Sequence, residues 1–186
     1  AVLASAPAAL AGNLVVNGGF ENTDKAGVPE NWAGRAWAVN VDGEVTTVPG
    51  GVQGRCLRIK VGPGKTVYGA FSRAIEVSEL KAQSLLVSCS YRTEGDPAAQ
   101  AMLVSYSEDF MRAQWDTRPL SSEARALRPS GRWTTYTWNA ELAPGAKQVV
   151  VVLQLLTGGT LFVDNMVVSP SPGDVTVAAK DLGLVA

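Results

Sequence analysis

Apolar and β-branched residues fall along this chain in short runs broken by Gly, Pro, Asn and Asp, the punctuation of an all-β chain. The runs predict strands near 14–17, 35–41, 44–48, 56–61, 66–77, 84–93, 100–107, 111–116, 132–142, 147–156 and 160–168. Only "SELKAQ" and "SSEARAL" have local helical composition, and each is one or two turns long. Alternation assigns faces. In "CLRIKV", Leu57, Ile59 and Val61 share one side and Cys56, Arg58 and Lys60 the other; in "SLLVSCSY", Leu85, Val87, Cys89 and Tyr91 face inward. Cys56 is thus expected outside and Cys89 inside, which disfavours a disulfide between them.

The stretch "KQVVVVLQLLTGGTLFVDNMVV" differs, because its two runs are apolar on both faces and flank a Thr-Gly-Gly-Thr turn suited to a hairpin. Both runs belong in the middle of a two-layer structure. Many antiparallel strands with no helices to cover them predict a β-sandwich, a two-sheet jelly roll. After Val168 the Pro- and Ser-rich text reads as a linker. The expected division is an N-terminal extension over 1–12, one sandwich domain over 13–169 and a linker or C-terminal extension over 170–186.

Composition narrows the function. The 186 residues suit one well-cored domain. With 16 Lys and Arg against 17 Asp and Glu, the chain has no strong positive field, so neither nucleic acid nor an anionic membrane surface is favoured as a partner. No run approaches the ~20 apolar residues of a membrane helix. Histidine is absent, which removes the commonest general base, the commonest zinc ligand and every Ser-His or Cys-His nucleophile pair. The two cysteines lack both C-x-x-C spacing and the density of a disulfide scaffold. The opening "AVLASAPAALAG" has the small-residue character of a signal-peptide cleavage region but no basic start or long apolar run, and it reads equally as a linker.

Two carboxylates stand out. In "NLVVNGGFEN", Glu21 follows Phe20 directly; in "LFVDNMVV", Asp164 shares simple strand parity with Phe162, Met166 and Val168. A charge so placed needs a cation or several donors. Two buried carboxylates with backbone carbonyls from neighbouring turns suit Ca²⁺, which takes about six to eight oxygen ligands. Carboxylates that cap turns or meet Arg and Lys side chains fit the same pattern.

Taken together, "NLVVNGGFEN", "GRWTTYTW" at 131–138 and "LFVDNMVVSP" resemble, in wording and order, the galactose-binding-like jelly-roll carbohydrate-binding modules, the group that includes families four, nine and twenty-two. The resemblance spans about Asn13 to Pro170. It implies that the early N-G-x-F-E segment and the late D-N strand lie side by side and hold a structural calcium. Glu21 and Asp164 would then be in the metal shell, with carbonyls near Asn17 and Gly19 as further donors.

The resemblance also implies a polysaccharide or oligosaccharide ligand. Sugar binding needs flat aromatic faces with amide, carboxylate and guanidinium groups around them. Trp133 and Trp32 read as packed residues. Trp37, Tyr68, Tyr106 and Trp115 remain as candidates, with Arg112, Gln114, Asp116 and Arg118 near the last of them. Acid pairs such as Glu108 with Asp109 and Asp24 with Glu30 carry no recognisable cleft motif and read as solvated surface, so catalysis ranks below binding. The resulting expectation is a non-catalytic, secreted or cell-surface carbohydrate-binding module with neighbouring domains in the same chain. The rival is a spacer or protein-interaction domain of the same fold without sugar affinity.

Overall fold

The computed structural model describes residues 12–36, 42–80, 82–107 and 119–171. These residues form strands and no helix: β1 Trp32–Ala36, β2 Gly43–Pro49, β3 Arg55–Ser72, β4 Ile75–Glu76, β5 Ser84–Glu94, β6 Ala99–Tyr106, β7 Ser121–Leu127, β8 Thr134–Glu141 and β9 Gln148–Pro170.

Strand β9 organises the rest. The Thr-Gly-Gly-Thr stretch does not close a hairpin; β9 runs through it for 23 residues. A straight strand of that length would reach about 75 Å, roughly twice the diameter of a domain this size, so it has to bend. The bend falls at Gly158–Gly159, where Gly159 has φ +147 and a Cβ on Gly158 would lie 2.8 Å from the Cα of Pro63. The facing part of β3 carries Gly62-Pro63-Gly64 and two register shifts between Val61 and Tyr68. Glycine is used here because two backbones turn against each other.

Each half of β9 therefore has its own neighbours. Its C-terminal half pairs with β5, and β5 with β8, while the start of β3 pairs with β2. Its N-terminal half pairs with β6, and β6 with β7, while the end of β3 pairs with β1. The first layer is β2-β3-β9-β5-β8 and the second is β1-β3-β9-β6-β7, with β3 and β9 in both. Side chains of both layers meet in one core that includes Leu57, Ile59, Val87, Cys89, Leu103, Leu153, Leu161 and Met166. At one rim the layers are tied by Glu123 Oε1, which accepts the Glu141 N–H at 3.0 Å. This is the expected all-β jelly-roll sandwich.

Three local expectations are corrected. Residues 14–17 form a turn-rich segment rather than a strand, although Leu14 N donates to Val168 O and the Asn13 side chain substitutes for a peptide unit. Its Oδ1 accepts Val168 N at 2.9 Å and its Nδ2 donates to Met166 O at 2.8 Å. "SSEARAL" is strand β7, because pairing with β6 outweighs its helical composition. In "SELKAQ" the described residues form a turn. The expected strand at 111–116 lies outside the described residues. Cys56 and Cys89 are both free and both buried, Cys89 in the core as alternation requires.

Candidate functional site

The two carboxylates singled out in the sequence converge on one loop, residues 50–55. Asn165 is left-handed at φ +50, and the register of β5 against β9 slips between Ser88 and Ser90. This bulge corrects the parity read from the sequence: Met166 and Val168 turn into the core, whereas Asp164 stays on the outer side with Phe162. The loop then buries it to 1 % exposure. Its Oδ2 accepts the N–H groups of Val52 at 2.7 Å and Gln53 at 3.1 Å, and its Oδ1 accepts that of Asn165 at 2.7 Å. Backbone amides supply the compensation that an ionised carboxylate needs.

Glu21 approaches the same loop from the other side and remains exposed, with Oε1 accepting the Arg55 N–H at 2.9 Å. Phe20 takes φ +56, rare for a bulky residue, and this turn sends its ring into the core 5.1 Å from Trp32 while Glu21 points away. The chain thus separates the adjacent apolar and charged side chains by backbone twist. Glycines make room for both carboxylates: a Cβ on Gly51 would stand 2.7 Å from Asp164 Oδ2, and one on Gly54 would collide with Glu21 Oε1. Asn17 braces the turn, donating from Nδ2 to Asn22 O at 2.8 Å and Glu30 O at 3.0 Å, while its own carbonyl accepts the Phe20 N–H. Gly19 lies in the same turn. Among the described residues no three His, Cys, Asp or Glu side chains converge. Cys56 lies close enough to this clasp that burial first, and the Asp164 charge second, push its thiol up to about 11.

The second candidate surface is the outer face of the second layer. It carries Phe71 from β3, Val104 and Tyr106 from β6 and Val150 and Val152 from β9, each no more than 9 % exposed, with Ala33 and Met102 packed beside them. Polar groups interrupt this apolar strip in register. Gln100 Nε2 donates to Gln154 Oε1 at 2.7 Å, and Gln148 Nε2 donates to Glu76 Oε1. Burial raises the Tyr106 hydroxyl above its ordinary pKa, and the Arg35 charge opposes that shift.

Of the expected ligand residues, Tyr106 lies on this face. Tyr68 does not join it: its ring packs toward the core and over Gly43, and burial and then Glu44 raise its pKa. Trp37, Arg112, Gln114 and Trp115, with Asp116 and Arg118, lie outside the described residues. Trp32 is core, as expected. Trp133 is not: it is half-buried at the first layer's outer face, with the Arg92 guanidinium 5.6 Å from its ring centre and 3.7 Å from that of Phe162. Phe71 and the Gln100–Gln154 pair went unread, although the two-faced apolar run of β9 signalled the strip they occupy.

No family model and no curated protein matches this chain. Solved structures match by fold. A family 4 carbohydrate-binding module, described under "CBM4 structure and function", superposes with TM-score 0.55 at 18% identity over 84% of this chain and 99% of its own. The family 11 module of the cellulosomal cellulase Lic26A-Cel5E of Clostridium thermocellum gives 0.61 at 13% identity, over 86% and 95%. The enzymatically active domain of bacteriophage CBA120 tailspike protein 4 gives 0.64 at 12% identity over 86% of this chain, which spans only 21% of that protein. The shared property is the jelly-roll sandwich of carbohydrate-binding modules.

Proposed function

We propose that this domain is a non-catalytic carbohydrate-binding module of a secreted or surface multidomain protein, taking polysaccharide on the outer face of the second layer. The observation that carries the reading is the outer sheet face on which half-buried Gln100 and Met102 lie beside the buried Phe71 and Tyr106 rings, a face that in an ordinary sandwich would be polar. Ring faces suit pyranose C–H surfaces, and amides suit hydroxyls. Modules of the same fold bound to a β-1,3-1,4-mixed-linked tetrasaccharide and to β-1,4-galactotriose support it. Such a module would raise the local concentration of an attached domain on its polymer.

Affinity electrophoresis against a panel of soluble polysaccharides tests the reading. Retention by at least one polymer is expected, weakened about tenfold or more by Tyr106→Ala. Retention by none would favour the spacer or protein-interaction reading.

The proposal includes structural Ca²⁺ at the loop clasp. The Glu21 and Asp164 carboxylates would hold it, with carbonyls near Asn17 and Gly19 as further oxygen donors. The convergence of two carboxylates on a loop whose Gly51 and Gly54 leave room for no side chain fits a hard cation. Since amides already satisfy Asp164, the ion would reinforce the closure rather than create it. A melting temperature a few degrees higher in calcium than in chelator is expected. Identical melting curves would remove calcium from the reading.

A further inference from the structure

A sheet edge with unpaired backbone groups is a template for another strand, and proteins guard such edges. Here β2 and β8 are the edges of the first layer, and β1 and β7 those of the second. Strand β2 is covered where Thr47 N donates to Gly27 O at 2.9 Å, and it ends in Pro49. Strand β1 is five residues long, and β7 carries the half-buried Glu123 and Arg125, paired at 3.0 Å. Strand β8 has none of these guards: its eight residues include no proline and no cation, and its single charge, Glu141, comes last. We propose that β8 pairs antiparallel with β8 of a second copy of this chain, across a twofold axis at Thr137.

The direction of the β8 peptide groups is settled at its C-terminal end. Leu142 N donates to Gln83 O at 2.8 Å, toward β5, whereas Glu141 N points the other way and meets Glu123 Oε1 at 3.0 Å. Successive residues of an antiparallel strand alternate in this respect, so the N–H and C=O of Thr135, Thr137 and Asn139 also point away from β5. The side chains agree: Ser88 with Thr137, hydroxyls 2.9 Å apart, and Ser90 with Thr135, 3.3 Å apart, are the closer, non-hydrogen-bonded pairs of the β5–β8 ladder. Thr135, Thr137 and Asn139 are exposed, and no described residue bonds their backbone N–H groups.

The occupant follows from the pattern of the strand itself. Glu123 closes the edge at Glu141, which leaves an open stretch centred on Thr137. With Thr137 on the axis, Thr135 faces Asn139 of the second copy, and every outward N–H and C=O of these residues meets its complement. The strand carries its acid, Glu141, at one end and the exposed Arg132 just before the other, so it is its own charge complement only when reversed. Antiparallel pairing supplies that reversal on both sides of the axis and sets no like charges against each other. A twofold pair also closes on itself, so each copy uses up the open edge of the other and no filament grows.

The test is sedimentation velocity of the full chain over a concentration series. Strand pairing alone makes a small interface, so dimer is expected only from about 100 μM upward. Thr137→Pro deletes an outward N–H that β5 does not use, and it is expected to weaken the dimer about tenfold or more while the monomer's melting temperature stays within a few degrees. Arg132→Glu and Glu141→Arg are each expected to weaken the dimer about threefold, and the double variant to restore it. A monomer at every concentration up to about 1 mM would overturn the proposal. So would a dimer that Thr137→Pro leaves intact, or a double variant no stronger than either single one.

Discussion

The two outer faces of the sandwich are closed by opposite means. On the first layer, charged groups are matched one by one: Arg58 with Glu44 at 2.9 Å, Arg92 with Glu94 at 3.1 Å and over Phe162, and Asp164 with three backbone amides. On the second layer, valines and aromatics lie side by side with a few amides, and even Val150 on the outer side is 1 % exposed. Matched charges hold a surface in one shape. The second face is closed by apolar packing instead, with Phe71, Val104, Tyr106, Val150 and Val152 all buried. The contrast is between a face held by matched charges and a face held by apolar packing.

The strongest way to break this contrast is Asp164→Ala. It strands the N–H groups of Val52, Gln53 and Asn165, so urea unfolding should show a loss of about 3 kcal/mol. Glu21→Ala removes one exposed acceptor and should cost about 1 kcal/mol or less. Equal costs would mean that the loop is not organised around Asp164.

Next comes Val150→Ala on the opposite face, where a lost buried side chain should cost about 1–3 kcal/mol in the same assay. No change would show that the strip contributes nothing to folding. Smaller still is Glu44→Ala, which breaks an exposed ion pair and should shift unfolding by no more than about 1 kcal/mol.

Alkaline pH probes both faces through the core between them. Burial holds the Cys89 thiol up to about 12, and burial with Asp164 holds Cys56 up to about 11, both against an ordinary 9.0. Folded-state values raised above the unfolded ones mean that the folded chain keeps its protons longer. The stability from the neutral thiols is complete below pH 9 and is lost as pH rises from there toward 11 and 12. Melting temperature should be flat near neutrality and fall above pH 9. A curve that rises there would reverse the sign.

The layer architecture was legible because period-two alternation and glycine punctuation are local properties of the chain. So were the inward face of Cys89 and the central place of the doubly apolar run that became β9. Three things were not legible. Thr-Gly-Gly-Thr permits either a hairpin or a bend between layers, and only the partners β6 and β5 decide which. One left-handed residue, Asn165, reverses parity for everything beyond it, and alternation has no sign for a bulge. The strand β7 has helical composition, and its pairing to β6 is a tertiary fact. At the site, the side-by-side placing of the Glu21 and Asp164 segments was implied by a resemblance, whereas the loop over which they meet, which supplies two of the three amides on Asp164, is distant in sequence from both.

The length of β9 has a consequence for the order in which the chain can fold. Because β9 is the central strand of both layers, a chain emerging from the ribosome holds β1–β8 with neither layer complete until the residues from Gln148 onward appear. Even the N-terminal Asn13 waits for Met166 and Val168. Acquisition of structure on the nascent chain should therefore be abrupt and late, with protease resistance arising only once Val168 has cleared the exit tunnel.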